Sequence, residues 1–143
     1  MDDPLRTVIA GMIAGALMGM VFVTHMALLL VFRPPNALRE KAAESKVSNL
    51  ITYAGLVAFL AWNILAIGLA LAIHATLPST ALSISFAPSP VYLFVLAFIT
   101  MLMLIPALIL LRDSKRHLVG EAMVLIGVYG FLLPNLVIAI QNS

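Results

Sequence analysis

His25, His74 and His117 are the side chains of this 143-residue chain best suited to ligation or proton transfer. A neutral imidazole binds metals and changes charge near neutral pH. There is no cysteine, which excludes disulfides, thiolate metal sites, iron–sulfur clusters and a cysteine nucleophile. His25 and His74 fall in long uncharged stretches. His117 ends the charged run Arg112-Asp113-Ser114-Lys115-Arg116-His117, where a headgroup-facing loop position is the simpler reading. Counting 1.5 Å per residue from the centre of each stretch puts His25 about 7 Å and His74 about 16 Å from a common midplane, on opposite sides. They cannot clasp one haem iron, so no cofactor is required. Each could bind a tetrapyrrole singly, which makes His25 and His74 the candidate cofactor-binding residues, with haem or chlorophyll left open. No metal site and no catalytic residue is indicated.

The uncharged polar residues form a second pattern. At 100° per residue, Thr52, Asn63 and His74 share one helical face. An amide deep in hydrocarbon would lose its water partners, so that face should point inward or toward another protein. By the same count of depth, Thr24, Asn63, Thr100 and Tyr129 bring one polar group from each of four stretches to a similar level. The expectation is an intramembrane cluster whose members satisfy one another, worth about 0.6–2 kcal/mol per contact. A substrate or ion site is the alternative, but such pathways usually include an ionisable residue and no stretch holds a carboxylate.

A third pattern is Gly11, Gly15 and Gly19, a glycine zipper with Thr7 one turn earlier. Residues four apart share a helical face, so these glycines form a groove in which another backbone can approach closely. Packing within the chain is preferred to an interface with a second copy or a partner. Pro106, and Pro134 with Gly127 and Gly130, should kink their helices and free backbone carbonyls.

The elements that hold these residues follow from composition. Apolar residues make up 63% of the chain and charged residues 10%, against roughly 45–50% and 25% in ordinary soluble domains. Mean hydropathy is +1.13. A water-soluble chain of this length cannot cover its surface with so few charges, so the partner is the lipid bilayer. A hydrocarbon core needs about 20 apolar helical residues to cross. Four uncharged stretches meet that length: Val8 to Phe32, Leu50 to Leu77, Val91 to Leu111 and Ala122 to Ile140. Backbone groups in hydrocarbon must be satisfied internally, so each should be an α-helix. The expected fold is all-α, a single domain over residues 1–143 forming an antiparallel bundle of four transmembrane helices.

Of the eight Lys and Arg residues only Arg6 precedes the first span, and the other seven fall in the first and third loops. The positive-inside rule makes those loops cytoplasmic and both termini external, in a plasma or cytoplasmic membrane. The opening Asp2 and Asp3 do not suit a secretory leader, so the first span should be retained. Asn36 should cap a short cytoplasmic helix over Ala37 to Glu44. The alternation Leu82-Ser83-Ile84-Ser85-Phe86 suits a short extended segment in the second loop. The mixed charge of the first loop reads as a solvated face, and no nucleic-acid partner is expected.

Three classes of function fit this frame. A non-catalytic structural, anchor or assembly subunit of a larger membrane complex is preferred, the expected protein partners being other membrane subunits or, in a homo-oligomer, further copies of the chain. A small oligomeric channel or transporter is the second, and a membrane enzyme or tetrapyrrole-binding subunit the third. In size and topology the chain resembles the four-helix glutathione-transferase family of membrane proteins, a resemblance that implies trimers and a peptide cofactor. That family carries arginines and a glutamate on its second helix, where Leu50 to Leu77 has neither, so no site residue carries over. Nothing matches a hydrolytic triad or a phosphate loop.

Overall fold

The computed structural model describes residues 3–33, 36, 39–40, 47–76, 87–110 and 115–143. Every element among them is helical. The helices are α1 (Pro4–Phe32), α2 (Val47–Thr76), α3 (Pro90–Leu110) and α4 (Lys115–Asn142). Three are long and apolar enough to cross a membrane: α1, α2 over Ile51–Thr76, and α4. In α3 the described apolar run, Pro90–Ile105, is shorter. The helix itself continues through Pro106 to Leu110. The expected helix over Ala37 to Glu44 and the extended segment Leu82 to Phe86 lie largely or wholly outside the described residues, as do the predicted span ends Leu77 and Leu111.

Local chemistry sets the helix starts. Pro4 occupies the first turn of α1, where a missing N–H is harmless. The Asp3 side chain caps that turn by accepting from the Leu5 N–H at 2.9 Å. At the other end Arg33 closes α1 through its N–H to the Leu29 carbonyl.

Helices α1 and α2 form the most extensive contact, and the glycines explain how. A Cβ added at Gly11 would lie 2.7 Å from Ile67 Cα, one at Gly15 2.6 Å from Asn63 Cα, and one at Gly19 2.6 Å from the Phe59 ring. Each step of four up α1 matches a step of four down α2, so the two helices run in opposite senses. The groove predicted from the glycine spacing is filled by α2 of the same chain. Helix α4 also runs opposite to α1, because Gln141 bonds Thr7 at one end and Glu121 meets His25 at the other.

The core lies where the four helices meet. Ala10, Ala14 and Met18 of α1 face Trp62, Ala66, Leu69, Ala70 and Ile73 of α2, with Tyr92 and Leu96 of α3 and Leu125, Val128, Tyr129, Leu133 and Val137 of α4. Large apolar side chains also cover the outside of every helix, including Phe32, Tyr53, Ile64, Phe94 and Met123.

Helix α4 differs from the expected span in two respects. It begins at Lys115, seven residues before Ala122, and so takes His117 and Glu121 into the helix. Its α-helical segments Lys115–Gly127 and Leu133–Asn142 are joined by a π-helical turn, Val128–Leu132. Pro134 explains why the regular pattern fails here, since it has no N–H to offer the carbonyl of Gly130. The Leu133 N–H reaches back to the carbonyl of Val128 rather than that of Tyr129.

Candidate functional site

At one end of the molecule three ionisable side chains form a hydrogen-bonded row. His117 and Glu121 are one turn apart on α4, which puts both on the face turned toward α1. His25 of α1 lies between them. Its Nδ1 meets Glu121 Oε1, and its Nε2 lies 2.8 Å from His117 Nδ1. The two imidazoles meet edge to face, with ring centroids 4.9 Å apart. The row is sheltered, the His25 and Glu121 side chains retaining 26% and 17% of their exposure. Glu121 Oε2 is buried and has no hydrogen-bond partner among the described residues, of which His25 alone holds the carboxylate.

Both ring nitrogens of His25 are committed to these bonds. His25 could therefore ligate a tetrapyrrole or metal only by giving one of them up. Among the described residues no group of three or more His, Asp or Glu is arranged to hold a metal ion. The charge pattern of the sequence places Glu121 outside the fourth span and His117 in a loop, whereas both lie within α4. The signal that could have found them is the H-x-x-x-E spacing, which requires one helical face if the helix starts before His117.

His74 lies at the opposite end. Its Nδ1 is 3.1 Å from Thr7 Oγ1, and that hydroxyl accepts from Gln141 Nε2 at 2.7 Å. Gln141 Nε2 also donates to the Asp3 carbonyl at 2.9 Å. The network ties α1, α2 and α4 together around Thr7, which is fully buried. Thr7 and His25 are about 27 Å apart along α1 at 1.5 Å per residue. The two candidate cofactor ligands therefore belong to separate sites.

Between these ends, the four polar residues expected to satisfy one another are not joined. Asn63 Nδ2 donates to the Phe59 carbonyl and Thr100 Oγ1 to the Leu96 carbonyl, each within its own helix. Thr24 is exposed. Thr52, also exposed, donates to Ser48. Only Tyr129 reaches across, its hydroxyl donating to the Trp62 carbonyl at 3.1 Å. Back-bonding to a carbonyl one turn earlier satisfies a Thr or Asn without any neighbour. It therefore removes the need for the expected cluster.

A different central arrangement takes its place. The π turn and Pro134 leave the carbonyls of Tyr129 and Gly130 without their usual helical partners. The start of α3 supplies donors to both: Tyr92 Oη–H to the Tyr129 carbonyl at 2.6 Å, and the Ala87 N–H to the Gly130 carbonyl at 2.8 Å. Trp62 packs in the same layer, with ring centroids 5.9 Å from Tyr129 and 5.8 Å from Phe22. These bonds pair the two freed carbonyls and both tyrosine hydroxyls, and the layer reads as architecture.

No protein-family model matches the chain, and neither a curated protein nor a solved structure is similar to it.

Proposed function

We propose that the chain is an integral membrane protein, an antiparallel bundle of four transmembrane helices with both termini outside and its first and third loops cytoplasmic. In this reading it serves as a non-catalytic structural, anchor or assembly subunit of a larger membrane complex. The observation that carries the reading is the contrast between outside and inside. Large apolar side chains cover all four helices, Ile64 and Phe94 being 72% and 73% exposed, while the central polar groups are bonded within the chain. A helix apolar all round needs lipid or protein about it.

Purification in mild detergent followed by native mass spectrometry tests this. Stoichiometric partner subunits are the expected result, and a lone homo-oligomer with no other subunit would overturn it. One observation favours the alternative of a small oligomeric channel or transporter: the row Glu121, His25 and His117, since ionisable residues within spans commonly mark proton or ion pathways. Pure protein reconstituted in liposomes separates the two, because only the alternative gives a flux without partners.

A further inference from the structure

We infer that Glu121, His25 and His117 form a proton-binding relay, entered at His117 Nε2 and ending at the Glu121–His25 pair. The inference rests on side-chain geometry alone and stands whether or not the chain is a subunit of a complex.

The row has two hydrogen bonds and two ways of making both of them. Without an added proton, His25 donates from Nδ1 to the Glu121 carboxylate, and His117 donates from Nδ1 to His25 Nε2. His117 Nε2 is then a bare lone pair. An incoming proton from water binds there. As it does, the Nδ1–H bond of His117 breaks and that proton crosses the hydrogen bond, whose nitrogens are 2.8 Å apart, to form a bond with His25 Nε2. The product has an imidazolium at His25, a neutral His117 with its proton on Nε2, and an unchanged carboxylate. Both hydrogen bonds survive, now with His25 donating in each. One proton has entered and no other group has changed, so neither an oxidant nor a co-reactant is needed.

Three features favour this use over a merely structural tie. Glu121 Oε2 is buried without a partner among the described residues, so among them the carboxylate's charge is left for His25 to balance. The unloaded row carries one net negative charge and the loaded row none, a difference that matters in sheltered surroundings. His117, half-buried, lies between the sheltered pair and the exposed Lys115 and Arg116, which places the entry atom on the wet side.

Among the described residues, the surrounding elements add little competing charge. Helix α1 ends at the exposed Arg33, two turns beyond His25, and α2 brings only the exposed Tyr53 to this end. Helix α3 has no ionisable side chain after Tyr92. Arg39 and Glu40 are exposed, and the remaining charges of the first and third loops lie outside the described residues.

The test is histidine nitrogen NMR on the full chain in detergent micelles, labelled at the imidazoles and titrated through the range about neutrality, with His74 as internal reference. The expected result is linkage. His117 Nε2 gains its proton and His25 becomes doubly protonated at one common midpoint, with one proton taken up by the pair. Glu121→Gln keeps shape and a hydrogen-bond acceptor but removes the charge that balances the imidazolium, so the added proton should no longer settle on His25. Separate, independent curves for His25 and His117 in the wild-type protein would overturn the relay, even if no variant folds. An unchanged His25 curve in a folded Glu121→Gln protein would overturn the role of the carboxylate as its terminus.

Discussion

The Tyr92 hydroxyl donates to the Tyr129 carbonyl at 2.6 Å, and it does so because the helix carrying Tyr129 has left that carbonyl free. Removing the hydroxyl strands a buried acceptor, which costs about 1–3 kcal/mol. Tyr92→Phe should therefore lower stability by that amount in detergent, read from reversible unfolding. Tyr53→Phe, on an exposed side chain, should change nothing measurable.

The close approach of α1 and α2 gives a sharper contrast. A methyl group at Gly15 would lie 2.6 Å from Asn63 Cα, a backbone atom that cannot swing aside. Gly15→Ala should destabilise by about 1–3 kcal/mol through forced separation of the helices. A Cβ at Gly68 meets nothing within 4 Å, so Gly68→Ala should be neutral or stabilising by up to about 1 kcal/mol. Thermal unfolding of both variants checks the sign as well as the size.

Ala87 carries a φ of 37°, in the left-handed region that a β-carbon disfavours by roughly 1–2 kcal/mol. The geometry is held by its N–H bond to Gly130. Ala87→Gly should remove the strain, at the cost of greater freedom in the unfolded chain. A net gain of about 0.5–1 kcal/mol is expected from the same unfolding measurement. A loss would show that the methyl contact outweighs the backbone strain.

At the far end, Thr7→Val preserves shape but deletes the hydroxyl that meets both His74 and Gln141. Gln141 retains the Asp3 carbonyl, so His74 is the group left without its protein partner. A cost of about 1–3 kcal/mol is expected. Hydrogen exchange should show faster opening of the last turn of α4, with the turn around Glu121 unaffected.

The parts of this structure legible in the sequence are those set by a regular period. Glycines four apart implied a groove, and α2 fills it. Pro134 implied freed carbonyls, and two are found, although nothing in the local pattern pointed to Tyr92 and Ala87 as their donors. The histidine row was missed because a hydropathy count stops at charge. It starts the fourth span at Ala122, whereas the helix begins at Lys115 and includes His117 and Glu121, whose polar atoms are met by His25 on α1. Depth alone also failed for Asn63 and Thr100, because position along an axis does not say whether a polar group turns to a neighbour or back to its own helix.

The π turn has a rotational consequence for the whole of α4. Thr7 and His25 differ by 18 positions, about five full turns, so α1 presents both on one face. Their partners Gln141 and Glu121 differ by 20, which in an unbroken α-helix would leave them about 160° out of phase. One extra residue in the turn Val128–Leu132 takes up about 100° of rotation and reduces the mismatch to about 100°. Straightening the turn with all its residues kept would restore the mismatch of about 160°, and that helix could dock against α1 at only one end, holding either Thr7 or His25 but not both.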